Sequence, residues 1–323
     1  MRRRVALAAL ALAAALPLAA RATEVTIREY PIPKSIYPHD VWADPRPDGP
    51  VYISGQRGGV LGILDPKTGQ VEQVKLGDGS APHGVVMDKA GDVWLTDGGQ
   101  NAIVRYTPSS KAIAKFPLPA ERGYVNLNTS VEGAGGLHWF TGQNGVYGRV
   151  DPKAGDVKVW DAPKGRGAYG IQATPEGAVY FVSLANSYLA RVDAASGAAT
   201  VIEPPTAGQG ARRVWSDSRG VLWVSEWNAG KLGRFEPKAS QWQEWKSPGE
   251  RPQVYAVYVD EEDRPWVSEW SQQVMMRFDP ETQKFEMFKS SSMVANVRQI
   301  HGRKGEVWTP ESAADKIVVY KFK

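Results

Sequence analysis

The sequence predicts an all-β protein, a seven-bladed β-propeller whose blades are four-stranded antiparallel sheets. The first observation is the stretch from Ala81 to Pro108, where short β-rich runs alternate with turns rich in Gly, Asp and Asn. The second is an aromatic residue of the second strand that recurs every 41 to 45 residues. These aromatic anchors are Tyr52, Trp94, Trp139, Tyr180, Trp223, Trp266 and Trp308. Repeats of this length built from four strands are typical of propellers.

The second repeat shows the predicted elements of one blade most clearly. A Pro-His-Gly segment leads into the first strand, and a polar turn separates that strand from an aromatic second strand. The four strands are expected at Val85–Met87, Asp92–Thr96, Ala102–Tyr106 and Ala112–Phe116. Third-strand sequences such as IVRYTP, YGRVDP and LGRFEP follow the aromatic anchors at a similar distance. Each unit is too small to bury its own apolar face, so neighbouring units must pack together.

The two ends of the chain predict how the ring closes. The seventh unit stops after its third strand, at Lys323, while residues Val25 to Tyr30 resemble a fourth strand without a blade. We therefore expect Val25–Tyr30 to pair with Lys316–Phe322, which would remove two exposed sheet edges. Residues 23–323 are expected to form this single domain, with no long linker.

Residues 1–22 have the pattern of a secretory signal peptide. Three arginines precede an Ala/Leu-rich run, and a small-x-small ending at Ala20-Arg21-Ala22 predicts cleavage after Ala22. The run is shorter than the ~20 residues of a membrane span, and no later segment is as apolar. The protein is therefore expected in the periplasm or secreted, without a membrane span and as a monomer. It has no Cys, so packing alone must hold the fold.

Charge gives little support for a nucleic-acid partner. The formal net charge is +4, and the predicted signal peptide contains four arginines and no acid, so the mature chain has 4 − 4 = 0. Nucleic-acid binding requires a concentrated basic face. No run of Lys or Arg in the mature chain is longer than the pair Arg212-Arg213. We expect a small-molecule or oligomeric ester or sugar substrate instead.

The start of each first strand predicts one ring of side chains at the mouth of the central channel. Counting back from the aromatic anchors selects one position per blade, with an offset that is constant in five blades. These positions are His39, His83, Asn128, Tyr169, Arg212, Tyr255 and Asn296. A His after Pro can simply stabilise a turn. Two of the four histidines at the same repeat position in adjacent blades favour a catalytic role, whereas His138 and His301 lie elsewhere and are expected to be structural.

The ends of the second strands predict a second ring at the same face. Four blades end this strand with a carboxylate, at Asp97, Glu226, Glu269 and Glu311. Like charges that converge across a channel require a cation, so these acids suggest a divalent metal site. The alternative is that each acid accepts hydrogen bonds from the next loop. Trp227 and Trp270 follow two of these acids and are candidates for a ligand-facing surface.

The repeats resemble those of the streptogramin B lyases, the virginiamycin B lyase-like propellers. The matching segments are PHGVVMDKAGDVWLTD with AIVRY, GAYGIQATPEGAVYFVS with YLARV, and RRVWSDSRGVLWVSEWNAGKLGRF. The resemblance covers essentially the whole mature chain and implies seven blades. It also implies metal-assisted opening of an ester by elimination, with a His base, a nearby acid and Mg²⁺. The family's His and Glu stand 14 residues apart in the last blade; here His83 and Asp97 have that spacing in the second blade.

The resemblance implies a role for each candidate residue. His83 would be the general base, Asp97 would orient it or share the metal, and Mg²⁺ would be held by Glu226, Glu269 and Glu311. His39 or Tyr255 would protonate the leaving oxygen. The substrate-binding residues would be Tyr169, Arg212, Tyr255, Trp227, Trp270, Asn128 and Asn296. Two alternatives stay open: a periplasmic propeller that binds a ligand or protein without chemistry, and a metal-dependent lactone hydrolase of the gluconolactonase type.

Overall fold

The computed structural model describes residues 24–323 and confirms the all-β prediction. Within these residues, 28 strands form seven separate four-stranded sheets. The predicted signal peptide and its cleavage site lie outside the described residues. Two short 3-10 helices, Ala120–Arg122 and Ala134–Gly136, flank the first strand of the third blade. The described part of the chain contains no helix long and apolar enough to cross a membrane.

All seven sheets are antiparallel. In six of them the strands follow sequence order, and in the last sheet the first strand of the described chain pairs with the final one. Blade 1 has β2 (Pro38–Ala43), β3 (Val51–Gly55), β4 (Val60–Leu64) and β5 (Val71–Lys75). Blade 2 has β6 (Pro82–Met87), β7 (Val93–Asp97), β8 (Ala102–Thr107) and β9 (Ala112–Pro117). Blade 3 has β10 (Leu127–Glu132), β11 (His138–Gly142), β12 (Val146–Asp151) and β13 (Asp156–Asp161). Blade 4 has β14 (Ala168–Ala173), β15 (Val179–Ser183), β16 (Tyr188–Val192) and β17 (Ala199–Ile202).

The remaining blades follow the same plan. Blade 5 has β18 (Ala211–Ser216), β19 (Leu222–Glu226), β20 (Lys231–Glu236) and β21 (Gln241–Lys246). Blade 6 has β22 (Val254–Val259), β23 (Pro265–Glu269), β24 (Val274–Asp279) and β25 (Lys284–Phe288). Blade 7 has β26 (His301–Arg303), β27 (Glu306–Glu311), β28 (Lys316–Phe322) and β1 (Val25–Pro31).

The predicted ring closure is confirmed. Strand β1 pairs with β28 in an antiparallel register that runs from Val25 opposite Phe322 to Pro31 opposite Lys316. Glu29 strengthens the closure through a 2.8 Å ion pair with Lys316. The edge that β28 would otherwise expose is therefore covered by the first strand of the described chain.

The aromatic anchors form the packing layer between blades. Trp94, Trp139, Trp223, Trp266 and Trp308 are all fully buried, as predicted. Contacts cross from blade to blade: the ring of Trp94 stacks on His138 at 4.4 Å between centroids. Large aromatic side chains bury 150–250 Å² each, so this layer supplies much of the apolar burial of a protein without disulfides.

The first strands surround the channel, and a β-bulge sets which side chains enter it. In blade 2, Pro82 pairs with Asp97 and Val85 pairs with Leu95, so His83 and Gly84 together oppose one residue. The same register shift occurs in each of blades 1 to 6. It presents two consecutive residues per blade near the axis. At Gly84 a Cβ atom would lie 2.9 Å from the carbonyl oxygen of Asn128, so glycine permits the neighbouring first strands to approach closely.

Candidate functional site

Two histidines from adjacent blades meet at one mouth of the channel. The rings of His39 and His83 lie 4.0 Å apart between centroids, and both side chains are buried. The bulge of each first strand directs its histidine towards the axis. The two residues that the sequence selected from the same repeat position are therefore in contact.

A buried ion pair that the sequence analysis missed lies directly beside the histidines. Asp40 contacts the guanidinium of Arg213, whose Nη2 lies 3.2 Å from its Oδ1 and 3.3 Å from its Oδ2. Their side chains are only 2% and 5% exposed. Arg213 also donates to the hydroxyl of Thr129 and to the carbonyl oxygen of Arg298. One guanidinium thus connects blades 1, 3, 5 and 7 across the channel.

These groups form a continuous chain of hydrogen bonds that assigns the histidine tautomers. Arg213 donates to the Thr129 hydroxyl, which donates to Asn128 Oδ1 at 2.6 Å. The Asn128 amide nitrogen is thereby turned towards His83 Nε2, 3.3 Å away. His83 Nε2 must accept, so its proton is on Nδ1.

The other histidine is the same Nδ1–H tautomer but is held by the opposite ring nitrogen. His39 Nδ1 lies 2.8 Å from Asp40 Oδ1 and donates to it. Its Nε2 makes no hydrogen bond within residues 24–323 and keeps a free lone pair. By contrast, His83 Nδ1 is buried without a partner. The two rings therefore offer one acceptor nitrogen and one N–H.

Both imidazoles are held in the neutral form. Burial lowers the pKa of His39, and the positive charges of Arg213 and Arg298 lower it further, although Asp40 acts in the opposite direction. Burial also lowers the pKa of His83 well below its ordinary value, with His39 and Arg213 adding to the effect. A neutral imidazole with a free lone pair can accept a proton at neutral pH.

A cationic aromatic cluster lies next to the histidines. Arg212 Cζ lies 3.6 Å from the ring centroid of Tyr255, and Arg212 Nη2 lies 3.3 Å from the hydroxyl of Tyr169. The two tyrosine hydroxyls are 2.9 Å apart. Burial raises the pKa of Tyr169, but the charges of Arg212 and Arg213 and the hydrogen bond with Tyr255 outweigh it, so the net shift is downward. This shift reflects the positive potential of the mouth.

Trp227 and Trp270 complete this cluster. Their rings are 5.8 Å apart, and Trp270 stacks on Tyr255 at 5.0 Å. Both tryptophans are half-buried and follow second strands at the face where His39 and His83 lie. The structure therefore brings Tyr169, Arg212, Tyr255, Trp227 and Trp270 together.

The carboxylates at the strand ends do not converge as we expected. Asp97 accepts hydrogen bonds from Ser80 Oγ at 2.5 Å and from the backbone nitrogen of Ala81 at 2.8 Å. It makes no hydrogen bond to His83. Glu269 accepts from the backbone nitrogens of Gln253 at 2.6 Å and Gln272 at 2.7 Å.

The other two acids are also held within their own blades. Glu311 accepts a hydrogen bond from Ser292. Glu226 Oε1 lies 2.3 Å from where a Cβ of Gly233 would stand, so this carboxylate points towards the third strand and away from the channel. Burial, with a contribution from Glu244, raises the pKa of Glu226 to about 8. The second-strand ends do lie at one face, but their acids stabilise loops there.

Neither the predicted glutamates nor the group around the two histidines fits Mg²⁺. Among residues 24–323, the group of His, Asp and Glu side chains close enough to share an ion is His39, Asp40 and His83, whose ligand atoms lie within 4.8 Å of one another. It does not contain the predicted ligands Glu226, Glu269 and Glu311. Mg²⁺ prefers oxygen ligands, whereas this group offers two nitrogens and a carboxylate already paired with Arg213. The guanidinium would also repel a cation.

The seventh position of the predicted ring is wrong. In blade 7, His301 pairs with Trp308, and continuing this register places Arg298 where the other blades have His83 or Arg212. Asn296 lies two residues earlier, with a left-handed φ of 54°, and is hydrogen-bonded to Gln273. Trp308 lies seven residues after its first-strand partner His301, compared with eight for Trp94 and Val86, so the ring position lies ten residues before Trp308 and not the predicted twelve.

The two remaining histidines are packed in the core, as expected. His138 stacks on Trp94, and His301 stacks on Trp42 at 3.6 Å between centroids. Burial lowers the pKa of each to about 3. Below the bulges, Asp40 and Arg213 border a channel cavity of about 30 Å³, enough for about two waters. A substrate therefore has to bind at the mouth.

Comparisons with known proteins give the same fold. Virginiamycin B lyase from Staphylococcus aureus superimposes with a TM-score of 0.84 at 20% identity, over 92% of this chain and 99% of that one. A catalytically inactive variant of that enzyme with quinupristin gives 0.83 at 21% identity, over 92% and 99%. The extracellular domain of BT4673 from B. thetaiotaomicron gives 0.70 at 15% identity, over 90% of this chain and 40% of that one.

A search of curated proteins finds no match. The sequence profile of the virginiamycin B lyase family, however, matches residues 13–241. That range covers well over half of the chain and includes His39, Asp40, His83 and Arg213. The seven repeats, the closed ring and this match lead to one assignment: the chain belongs to the virginiamycin B lyase family.

Proposed function

We propose that this protein is an exported lyase that breaks a carbon–oxygen bond by β-elimination. The observation that supports it most is the contact between His39 and His83, two buried neutral imidazoles at the channel mouth of which one leaves its acceptor Nε2 free and the other its Nδ1–H. Elimination next to a carbonyl needs a base for the α-proton and a donor for the charge that develops on oxygen. The pair supplies both. The solved structure of a catalytically inactive virginiamycin B lyase with quinupristin supports ligand binding by a propeller of this fold.

The hydrogen bonds favour His39 as the base and His83 as the donor, the reverse of the roles predicted from the sequence. Asp40 orients His39 through Nδ1 and leaves Nε2 free, the arrangement of an Asp-His pair. His83 carries its proton on Nδ1 because Asn128 occupies Nε2. Neutral histidine can stabilise an oxyanion by donating a hydrogen bond. Asp97 serves its own loop and has no part in this proposal.

The proposed step balances without water. His39 Nε2 takes the α-proton, the C–H electron pair becomes the Cα=Cβ double bond, and the Cβ–O bond breaks. The leaving oxygen keeps the electron pair of the broken Cβ–O bond. A carboxylate can leave as it is, whereas an alkoxide receives the proton back from the His39 imidazolium. Arg212 and Tyr169 are placed to bind the carbonyl or carboxylate oxygen. No step is assigned to Mg²⁺.

The second candidate is a propeller that binds a ligand or partner without chemistry. The observation in its favour is that the predicted acids are engaged in hydrogen bonds within their own blades. A gluconolactonase-type hydrolase would need several oxygen ligands around a metal. The His39, Asp40 and His83 group contains one carboxylate, so we do not propose that reaction.

The test is a screen of ester-linked cyclic peptides and uronate oligosaccharides for the ultraviolet absorbance of a new conjugated double bond. His39→Gln should abolish turnover. His83→Gln should lower kcat and change KM much less. The control is His138→Gln, which removes a buried histidine outside the site. Parallel assays in EDTA and in Mg²⁺ test the predicted cofactor.

The pH profile tests the lowered pKa of the base, and the two variants separate the two assignments. Because the base has a lowered pKa, wild-type kcat/KM should stay high below pH 6.5. If His83→Gln abolishes turnover while His39→Gln keeps it, the roles predicted from the sequence are correct and ours are reversed. If both folded variants turn over substrate like wild type, the pair is not catalytic. Ligand binding without any product would favour the second candidate.

A further inference from the structure

The channel mouth has more positive than negative charge. Three arginines occupy the two residues of the bulge or their blade 7 equivalent: Arg212, Arg213 and Arg298. Among those same positions, the sole carboxylate is Asp40, which is already paired with Arg213. Two guanidinium charges are therefore left over beside the neutral histidines.

Arg212 and Arg298 have no acidic partner within residues 24–323. Neither takes part in a salt bridge there. Arg298 is held by the hydroxyl of Ser312 and the carbonyl oxygen of Asn296, and Arg212 by the hydroxyl of Tyr169. Both side chains are half-buried, so each remains in reach of a ligand. Partly desolvated cations without counter-ions are costly, and an anionic ligand would relieve that cost.

The aromatic cluster contacts both guanidiniums through two neighbouring tryptophans. Arg212 Cζ lies 4.6 Å from the centroid of Trp227, and Arg298 Cζ lies 5.1 Å from that of Trp270. The two tryptophans contact each other. A guanidinium stacked on aromatic rings still presents N–H groups at its edge, and these match the two oxygens of a carboxylate.

We infer that the substrate carries a free carboxylate, bound by Arg212 and Arg298, on the carbon that loses its proton. This inference rests on the proposed elimination and names its substrate class: acids with an oxygen leaving group on the adjacent carbon, as in uronate oligosaccharides. A proton next to a carboxylate is weakly acidic because its removal adds a second negative charge. Guanidiniums at the carboxylate oxygens offset that charge in the transition state.

The rim of this face suits a substrate larger than one small acid. Tyr37 and Tyr124 are exposed in the connections that lead into β2 and β10, the strands that start at this mouth. Their side chains are 43% and 62% exposed. Exposed aromatic rings beside a polar pocket can pack on the apolar face of a neighbouring sugar residue.

The test measures binding apart from turnover. Isothermal titration would compare digalacturonate, its dimethyl ester and inorganic phosphate in the His39→Gln protein, where the reaction is blocked. Digalacturonate should bind at least about tenfold more tightly than the ester, which keeps the shape but loses the charge. Arg212→Gln and Arg298→Gln should each weaken binding about tenfold or more. Arg212→Lys, which keeps the charge but loses the planar fork, should lie between.

The control is Arg191→Gln, an exposed arginine on β16 that should leave binding unchanged. Circular dichroism and melting temperature verify that each variant folds. Equal affinity for acid and ester, no binding of digalacturonate, or equal binding of phosphate would each overturn the carboxylate assignment. Tight binding of digalacturonate with no double-bond product from the wild-type protein would leave this inference standing and contradict the proposed reaction.

Discussion

Breaking the buried ion pair at the centre of the ring should destabilise the whole propeller. In Asp40→Asn, Arg213 keeps its charge but loses its carboxylate, while its side chain remains 5% exposed. Removing one partner of a buried pair costs about 3–5 kcal/mol. Arg213 retains the Thr129 hydroxyl and the Arg298 carbonyl, and the new amide can still accept one hydrogen bond. We therefore expect the lower end of that range, about 3 kcal/mol.

The melting temperature measures this loss directly. For a domain of about 300 residues, 1 kcal/mol corresponds to about 2 °C, so Asp40→Asn should melt about 6 °C below wild type. All variants must be compared at one scan rate, because large propellers can unfold irreversibly. Since the uncompensated charge causes the loss, Asp40→Asn combined with Arg213→Met should recover most of it.

A double-mutant cycle decides whether this reasoning is correct. The two single variants and the double variant should give a coupling energy of about 2 kcal/mol, within the range for residues in direct contact. A shift below about 2 °C for Asp40→Asn would mean that water reaches the pair. If the double variant loses as much free energy of unfolding as the two single variants lose together, the two residues stabilise the ring independently. Either result would refute a desolvated pair.

Two further predictions concern other parts of the ring. Burial raises the pKa of Glu226 to about 8, so the native carboxyl keeps a proton that the unfolded chain has already lost. Stability should therefore fall as pH rises from about 5 to 8. Glu226→Gln should flatten the melting curve against pH, and parallel curves would contradict the raised pKa. Deleting residues 24–31 removes β1 and exposes the β28 edge, so the shortened protein should aggregate on size-exclusion chromatography. A monomer with the wild-type melting temperature would show that closure is dispensable.

The propeller could be predicted from sequence because its signal is repeated seven times. A single aromatic anchor is weak evidence. Together, anchors such as Trp94, Trp223 and Trp308 recur at nearly the same spacing, and in the structure they are all fully buried. Closure was predictable for the same reason. Val25–Pro31 resembles the fourth strands of other blades, and the seventh blade lacked a fourth strand. Where the repeat varies, the prediction failed: the offset from the aromatic anchor is shorter in blade 7 than assumed, so the ring position is Arg298 and not Asn296.

The direction of side chains was the part that spacing could not supply. Asp97 and Pro82 do pair at one end of the blade, as predicted, yet the carboxylate turns to the backbone of Ala81. A buried carboxylate takes the nearest N–H donors, and the next loop provides them. The missed pair did leave a trace. Asp40 and Arg213 carry charge at a bulge position that is otherwise filled by Gly, Ala, Thr or Gln.

The network explains why these two charges sit on different blades. Asp40 fixes the proton of His39, and Arg213, through Thr129 and Asn128, fixes the proton of His83. Because Asp40 and Arg213 are paired, their charges offset each other, and the two neutral imidazoles can leave opposite ring nitrogens free. A rigid ring is needed for this, since the contributing residues lie up to 174 positions apart in the sequence, from His39 to Arg213. A shift of one blade by the width of an atom would break the chain of hydrogen bonds, and with it the difference between the acceptor and the donor imidazole.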